Sequence, residues 1–402
     1  MNVVGIIAEY NPFHKGHQFH IEQAKAKTGA DAVVVVMSGN FVQRGAPAIM
    51  PKHLRTKVAL QCGASLVLEL PTCYATGTAE QFAYGAVSMF HQLGVVDTLC
   101  FGSECGDMNS LQELATILTQ EPDAYRQALQ ENLRKGLAFP AARVAALEEI
   151  YPNKDFAAIL SKPNNILGIE YLKALKRLNS TIRPVTIARQ GAEYHEDTLQ
   201  ELFSSATAIR HSIAQNIMEP VLEQIPNSSI SLFRENYEKR FPVMTNDFSL
   251  MLKYRLLNET KQSIQIYADM SEELANRIFH CINQFESFEQ FCELLKTKEL
   301  TYSRISRALL HVLLGIRKID MKEIEYARIL GFRETDVSLL SEIKKKSSIP
   351  LVSKLTSTKD LKENACEMLN ADIRTSNLYL SLITDKYKTP FINEYEHPIV
   401  RI

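Results

Sequence analysis

Two histidines three residues apart, His14 and His17, flank a glycine in the run Glu9-Tyr10-Asn11-Pro12-Phe13-His14-Lys15-Gly16-His17, and His20 follows one turn later. The continuous apolar run Val3–Ala8 before them has the length of a buried strand, and the stretch from His17 to Lys27 has amphipathic helical spacing. The motif therefore falls where a strand hands over to a helix. The first amides of a helix lack intrahelical partners and sit at the positive end of its dipole, so such a junction attracts phosphate. Gly16 lets an anion come close to the backbone. His14 and His17 share one side of the first turn and can donate from imidazole to phosphate oxygens. On an arbitrary helix the same histidines would be surface or capping residues; after a chain-opening strand the motif favours nucleotide binding.

A second segment has the same character. Ser204-Ser205-Ala206-Thr207-Ala208-Ile209-Arg210 opens a helix after the last expected strand. Hydroxyls at a helix start with an arginine one turn in make another phosphate cradle, with Ser205, Thr207 and Arg210 as its donors. Taken alone, the segment reads better as an ordinary N-cap followed by a solvated arginine. The 7 cysteines form no CxxC pair and no Cys/His cluster at zinc spacing. Their odd number, without a secretory leader, fits reduced thiols in a cytosol. No metal-ligating set is assigned.

The elements that must position these groups alternate. After Val3–Ala8 and the His17–Lys27 helix come a strand at Ala32–Met37, a helix at Pro51–Cys62 and a strand at Ser65–Leu70. A helix at Thr78–Leu93 and a short strand from Thr98 to Phe101, ending at Gly102, follow. Strands without polar alternation are buried on both faces, and helices between them act as right-handed crossovers. The fold class is α/β, a doubly wound parallel sheet of Rossmann-like type. A helical insertion is expected over about 107–160. Pro163–Asn179 then reads as a helix capped by Ser161, and Ile182–Ala188 as the last strand. The nucleotide-binding domain thus spans 1–216. Residues 217–402 show helical spacing with no convincing buried strand, apart from an extended return segment at Ile349–Leu355, and form a mainly α-helical domain.

Composition excludes several classes. With 402 residues, 46% hydrophobic and 23% charged, the chain has the balance of a globular protein, neither disordered nor collagen-like. Lys+Arg 45 against Asp+Glu 46 gives a net charge of -1, so no global basic field announces nucleic acid, although a local basic face remains compatible with RNA. Ala32–Met37, the most apolar run near the start, is far shorter than the roughly 20 residues of a membrane span. A soluble, cytoplasmic protein without a membrane partner is expected.

The two phosphate motifs together resemble the two-part signature of the HIGH-motif nucleotidyltransferases, whose second element often reads Ser-Ser-Thr-x-x-Arg. Ala206 replaces one hydroxyl here, so Ser205, Thr207 and Arg210 carry over. No Lys-Met-Ser-Lys-Ser element occurs, which argues against a full aminoacyl-tRNA synthetase. Five segments in order narrow the resemblance to the bacterial tRNA(Met) cytidine acetate ligase family: Gly5 through His17, Met37-Ser-Gly-Asn-Phe-Val-Gln-Arg-Gly45, Phe101-Gly-Ser-Glu104, Lys162-Pro-Asn-Asn-Ile-Leu-Gly168 and Ser205 through Arg210. It is strong over the nucleotidyltransferase half and weaker over the helical half.

The resemblance implies a two-step reaction. Acetate attacks the α-phosphorus of ATP, and the resulting acetyl-adenylate passes its acetyl group to the wobble cytidine of elongator methionine tRNA. No protein nucleophile is needed, and His14, His17 and Arg210 become the catalytic candidates. Mg²⁺ would be bound through the phosphates. The same resemblance places ATP against Ile7, Ala8, Glu9, Tyr10, Asn11, Pro12, Phe13, His14, Lys15, Gly16, His17, Gln18, Phe19 and His20. Gly102, Asn164 and Arg189 would join them, with Ser205 and Thr207 at the phosphates. For Gly102 a turn, for Asn164 a helix cap, and for Arg189 and His195 plain exposure are the alternatives. The loop Met37–Gly45 either holds acetate or cytidine, with Arg44 reaching a charge, or merely connects. Lys344, Lys345 and Lys346 with Arg304, Arg307, Arg317 and Lys318 are either tRNA contacts or a solvated face. Two other functions stay open on the residues: a metabolite adenylyl- or cytidylyltransferase, and a non-catalytic RNA-binding protein with a nucleotide pocket.

Overall fold

The apolar runs of the first half become neighbouring strands of one sheet. In the computed structural model, which describes residues 1–189, 204–318, 321–356 and 361–402, the strands are β1 (Val3–Ala8), β2 (Ala32–Ser38), β3 (Phe41–Val42), β4 (Ala46–Pro47), β5 (Leu66–Leu70), β6 (Thr98–Ser103), β7 (Arg183–Ala188), β8 (Ala327–Phe332), β9 (Leu351–Val352) and β10 (Val400–Arg401). The sheet order is β10-β8-β5-β2-β1-β6-β7, with β9 also beside β8, while β3 and β4 form a separate hairpin. The central strands β5, β2, β1, β6 and β7 are mutually parallel. The chain lays down β1, β2 and β5 in one direction and then crosses back to place β6 and β7 on the other side of β1. That reversal opens a crevice at the carboxyl ends of β1 and β6, where such sheets bind ligands.

Why the strands lack polar alternation is visible in their packing. Along β2, Val34 and Val36 enter one core with Leu68 and Phe90, whereas Val33 and Val35 enter the opposite core with Ile21, Val58 and Ile209. The helices supplying these layers are α1 (Lys15–Thr28), α2 (Lys52–Gln61), α3 (Thr72–Ala75), α4 (Ala79–Leu93), α5 (Met108–Gln120), α6 (Asp123–Arg134), α7 (Phe139–Ile150), α8 (Phe156–Leu160), α9 (Pro163–Arg177) and α10 (Ala206–Ala214). A third core, built around Leu252, Phe291 and Leu309, sits among the helices of the second half. No helix among the described residues is long and apolar enough to cross a membrane.

Three local expectations are corrected. The second half does contain a buried strand: β8 pairs antiparallel with β5, Leu66 opposite Phe332 and Glu69 opposite Arg328, so the sheet is mixed. Arg328 interrupts the apolar pattern there, and its charge is hidden by ion pairs to Glu69 (2.8 Å) and Glu394. Ser161 does not cap α9; its hydroxyl donates to Ala158 O (2.7 Å), and the cap of α9 is the Glu104 carboxylate, which accepts from the amides of Asn164 (3.2 Å) and Asn165 (2.8 Å). Gly102 lies within β6, one residue short of its end.

Candidate active site

A cavity of about 610 Å³ opens at the carboxyl ends of β1, β6 and β7, a size suited to a nucleotide. Both phosphate motifs line it. Sixteen of the residues expected to act there reach its wall, and they come from five separate stretches of chain: Ile7, Ala8, Glu9, Tyr10, Asn11, His14, Gly16, His17, Phe19 and His20; Gly102; Asn164; Arg189; and Ser205, Thr207 and Arg210; Arg44 lines it too.

The histidine pair is organised by the helix that carries it. His14 is the N-cap of α1, and its Nδ1 accepts from Gly16 N (3.1 Å). His17 returns the favour, its Nδ1 accepting from His14 N (3.3 Å). A neutral imidazole that accepts at Nδ1 carries its proton on Nε2. The cap therefore fixes both rings in the tautomer whose Nε2–H can donate to a ligand. The rings lie 3.8 Å apart between centroids, and Tyr10 packs on the His17 ring at 4.9 Å. Burial, reinforced by Arg189 and Arg210, lowers the His14 pKa to about 3. Burial, His14 and Arg189 hold His17 well below its ordinary value, and burial with Arg189 brings His20 to about 4. Near neutral pH these rings are uncharged donors. Capping and ligand binding are not rival roles here, since capping occupies Nδ1 and leaves Nε2–H free of the cap.

The second cradle faces them. Ser205 caps α10 by accepting from Ala208 N (3.0 Å). Arg210 reaches Thr207 Oγ1 (3.1 Å) and also Asn11 O (2.7 Å), tying α10 to the turn between β1 and α1. On the far side of β6, the stem of Arg189 passes over Gly102, where an added Cβ would stand 3.4 Å from its Cγ. The Asn164 side-chain amide donates to Glu104 Oε1 (2.7 Å); Glu104, not Asn164, is the cap of α9, and Asn164 lines the cavity.

The other end of the cavity, beyond β2, is built differently. Glu9 Oε1 accepts from Gln43 N (2.9 Å), anchoring the hairpin of β3 and β4 beside the end of β1. Arg55, fully buried on α2, gathers the strand ends: Nη1 donates to Glu9 O (2.6 Å) and Ser38 O (3.1 Å), Nε to Met50 O (3.0 Å) and Nη2 to Gly39 O. Gly39 has no room for a side chain, because a Cβ would stand 2.5 Å from Glu69 Oε1. Glu69 belongs to a buried ionic cluster in which Lys52 pairs with Glu69 (2.7 Å) and Glu394 (2.9 Å). Ser306 of the helix Tyr302–Leu314 donates to Gly45 O (2.8 Å) and holds the tip of the hairpin. Met244, Thr245 and Glu289 of the second half complete this wall.

Four expected contacts are not brought to the cavity. Pro12 and Phe13 turn into the core, Phe13 being 1% exposed. Lys15 and Gln18 lie on the other side of α1, where Gln18 donates to Glu22 (2.9 Å). Of the loop Met37–Gly45, Gln43 and Arg44 line the cavity, but Asn40 is structural, donating to Ser376 and accepting from Lys52 N. Arg307 is committed to Asp269 (2.8 Å). His195 lies outside the described residues. The sequence reading missed Arg55 and Glu104, whose roles depend on partners up to 61 residues away. It also missed Phe82, Tyr171 and Glu289 on the wall, which carry no local motif. No group of three His, Cys, Asp or Glu among the described residues is placed to hold a metal ion.

Comparison with known proteins agrees with this geometry. The HIGH Nucleotidyl Transferase family matches residues 1–394. A tRNA(Met) cytidine acetate ligase of Thermoanaerobacter sp. strain X514 is 42% identical over 408 residues, covering 100% of both chains. That of Acetivibrio thermocellus is 42% identical over 402 residues, covering 97% of this chain and 96% of its own. Among solved structures, apo Thermotoga maritima TmcAL superposes with a TM-score of 0.93 at 36% identity, and the same protein bound to α-thio ATP with 0.90 at 33%, each covering 100% of both chains.

Proposed function

Because the chain belongs to the HIGH nucleotidyl transferase family and, within it, to the tRNA(Met) cytidine acetate ligases, we propose that it activates acetate with ATP and transfers the acetyl group to the wobble cytidine of elongator methionine tRNA. The structural observation that carries this reading is the pair of helix tips, at α1 and α10, facing each other across a cavity at the reversal point of the sheet.

In the first step an acetate oxygen displaces pyrophosphate from the α-phosphorus of ATP. The Nε2–H groups of His14 and His17, the amides at the start of α1 and α10, and Arg210 hold the phosphates and take up charge on the leaving pyrophosphate. Neutral imidazoles suit this task, since they donate without a proton having to be added first. Gly102 and Asn164 border the nucleoside, and Arg189, whose charge reaches His14, His17 and His20, serves a phosphate. Mg²⁺ would enter with ATP, carried by its phosphates, and supply further charge neutralisation there. In the second step the cytidine amine attacks the acetyl carbon and AMP leaves. Rate enhancement comes from alignment of the bound reactants, without a covalent enzyme intermediate. Residues 217–402 we assign to holding the tRNA, and a reaction on tRNA and ATP belongs in the cytoplasm.

The test is direct. Wild-type protein should exchange pyrophosphate into ATP only with acetate present, and should place labelled acetyl on a methionine tRNA transcript as N4-acetylcytidine. Turnover of a phosphorylated metabolite without tRNA would replace this reading with the metabolite nucleotidyltransferase. ATP binding without pyrophosphate release in any mixture would make the protein a non-catalytic binder.

A further inference from the structure

We infer that the Glu9 carboxylate binds the exocyclic amine of the incoming cytidine and takes its proton during acetyl transfer. This deepens the function proposed above and rests on it. The topology separates the two ends of the cavity. Gly102 lies on β6 and Arg189 follows β7, both on one side of β1, and the helix tips with His14, His17 and Arg210 adjoin them. Glu9 directly follows β1 but bonds to Gln43, in the hairpin that follows β2 on the opposite side. A carboxylate is out of place in a triphosphate cradle, where it would repel the ligand. At the β2 side it faces the acyl-acceptor end.

Among the described residues, the acidic side chains on the cavity wall are Glu9 and Glu289. Glu289 is exposed, and its Oε2 accepts from Asn246 (2.8 Å). Glu9 is held from two directions: Gln43 N occupies Oε1, and Arg55 grips the Glu9 main-chain oxygen at 2.6 Å. Its charge also reaches Tyr171 of α9, which packs on Phe101 of β6 at 5.6 Å and whose hydroxyl is pushed up first by burial and then by Glu9. The carboxylate therefore stands at the boundary between the hairpin and the nucleoside wall, where the acyl group and its acceptor must meet. A carboxylate accepting from the N4 amine is also the pairing that reads cytosine.

The chemistry calls for such a group in one step only. Acetate attacks phosphorus as an anion and has no proton to lose. The amine does: as the N4–C(acetyl) bond forms, the C–O bond to AMP breaks, its electron pair leaves with the AMP phosphate, and one N4 proton must go to a base. Glu9 receives it and later releases it to water.

The experiment compares wild type with Glu9→Gln and Glu9→Asp. Glutamine keeps an oxygen for the Gln43 amide but cannot take a proton. Three rates are read: acetate-dependent pyrophosphate exchange, single-turnover acetyl transfer to the tRNA transcript, and acetyl transfer to hydroxylamine. Hydroxylamine is a stronger nucleophile that needs no positioned base. Glu9→Gln should lower the ratio of tRNA transfer to exchange by about 10²–10³-fold, accumulate acetyl-adenylate, and leave the ratio of hydroxylamine transfer to exchange within about threefold. Glu9→Asp should recover part of the tRNA rate. An unchanged tRNA ratio would overturn the inference, with AMP phosphate taking the proton itself. Equal loss of exchange and transfer would also overturn it, assigning Glu9 to the triphosphate or its metal. Failure of wild type to use acetate or tRNA would instead defeat the proposed function, so the two failures are distinguishable.

Discussion

The two ends of the cavity solve the same positioning problem by different means. At the nucleotide end, short local motifs suffice: a helix tip, a glycine and a pair of rings that cap their own helix, repeated with hydroxyls at α10. At the β2 end no element is self-sufficient. Glu9 and the hairpin are held by Arg55 from α2, by the Lys52–Glu69 pair beneath, and by Ser306 from the second half. Under the function proposed above, local motifs carry the general nucleotide chemistry and long-range clamps hold the end assigned to the second substrate.

The comparison can be broken from either side. The largest effect is expected at Arg55. Arg55→Met leaves the carbonyls of Glu9, Ser38, Gly39 and Met50 without their donor, and should cost about 3–5 kcal/mol of stability in denaturant titration. A loss under 1 kcal/mol would show that the β2 end does not depend on the clamp. Next, His17→Ala should reduce acetate-dependent pyrophosphate exchange about 10²–10³-fold, mostly in kcat, with the fold retained by circular dichroism. Exchange at the wild-type rate would remove the histidine pair from the chemistry.

A third expectation concerns acid. His14, His17 and His20 all bind protons more weakly in the folded protein than their ordinary value of 6.5. Between about pH 6.5 and 4 the unfolded chain therefore holds more protons, and stability falls as pH falls. Asp372, raised to about 6 by burial and Glu69, works in the opposite sense over the same range, but His53, His311 and His397, also held low by burial, add to the three, so one group stands against six. Denaturation midpoints should drop steadily from pH 7 to pH 5, and less steeply with a bound ATP analogue, whose charge favours the imidazolium forms. Midpoints that rise toward pH 5 would contradict the burial of these rings. The smallest effect belongs to Gly102→Ala. A methyl 3.4 Å from the Arg189 stem asks that side chain to yield slightly. KM for ATP should rise roughly fivefold at most, a cost of about 1 kcal/mol, with exchange kcat unchanged.

This division also explains what could be read beforehand. Five central strands, the helices between them and both phosphate motifs were legible because buried parallel strands and helix starts are written in contiguous residues. β8 was not, since Arg328 reads as a surface charge until Glu69 and Glu394 are known to meet it. Pro12, Phe13, Lys15 and Gln18 were included as part of a continuous segment, but a helix presents only one face to a cavity, and strand-to-helix turns bury their apolar members. Arg55 and Glu104 look unremarkable along the chain; each acquires its role from a carbonyl or an amide brought near by the fold.

The ionic cluster has a consequence for how the protein is made. Lys52 and Glu69 leave the ribosome first, and Glu394, which shares the burden of neutralising Lys52 and Arg328, is the last member of the cluster to be made. A nascent chain that stops short of Glu394 holds two interior cations against one carboxylate. A chain ending before Glu394 should therefore unfold at lower denaturant than the full chain, because the uncompensated cation sits where β8 meets β5.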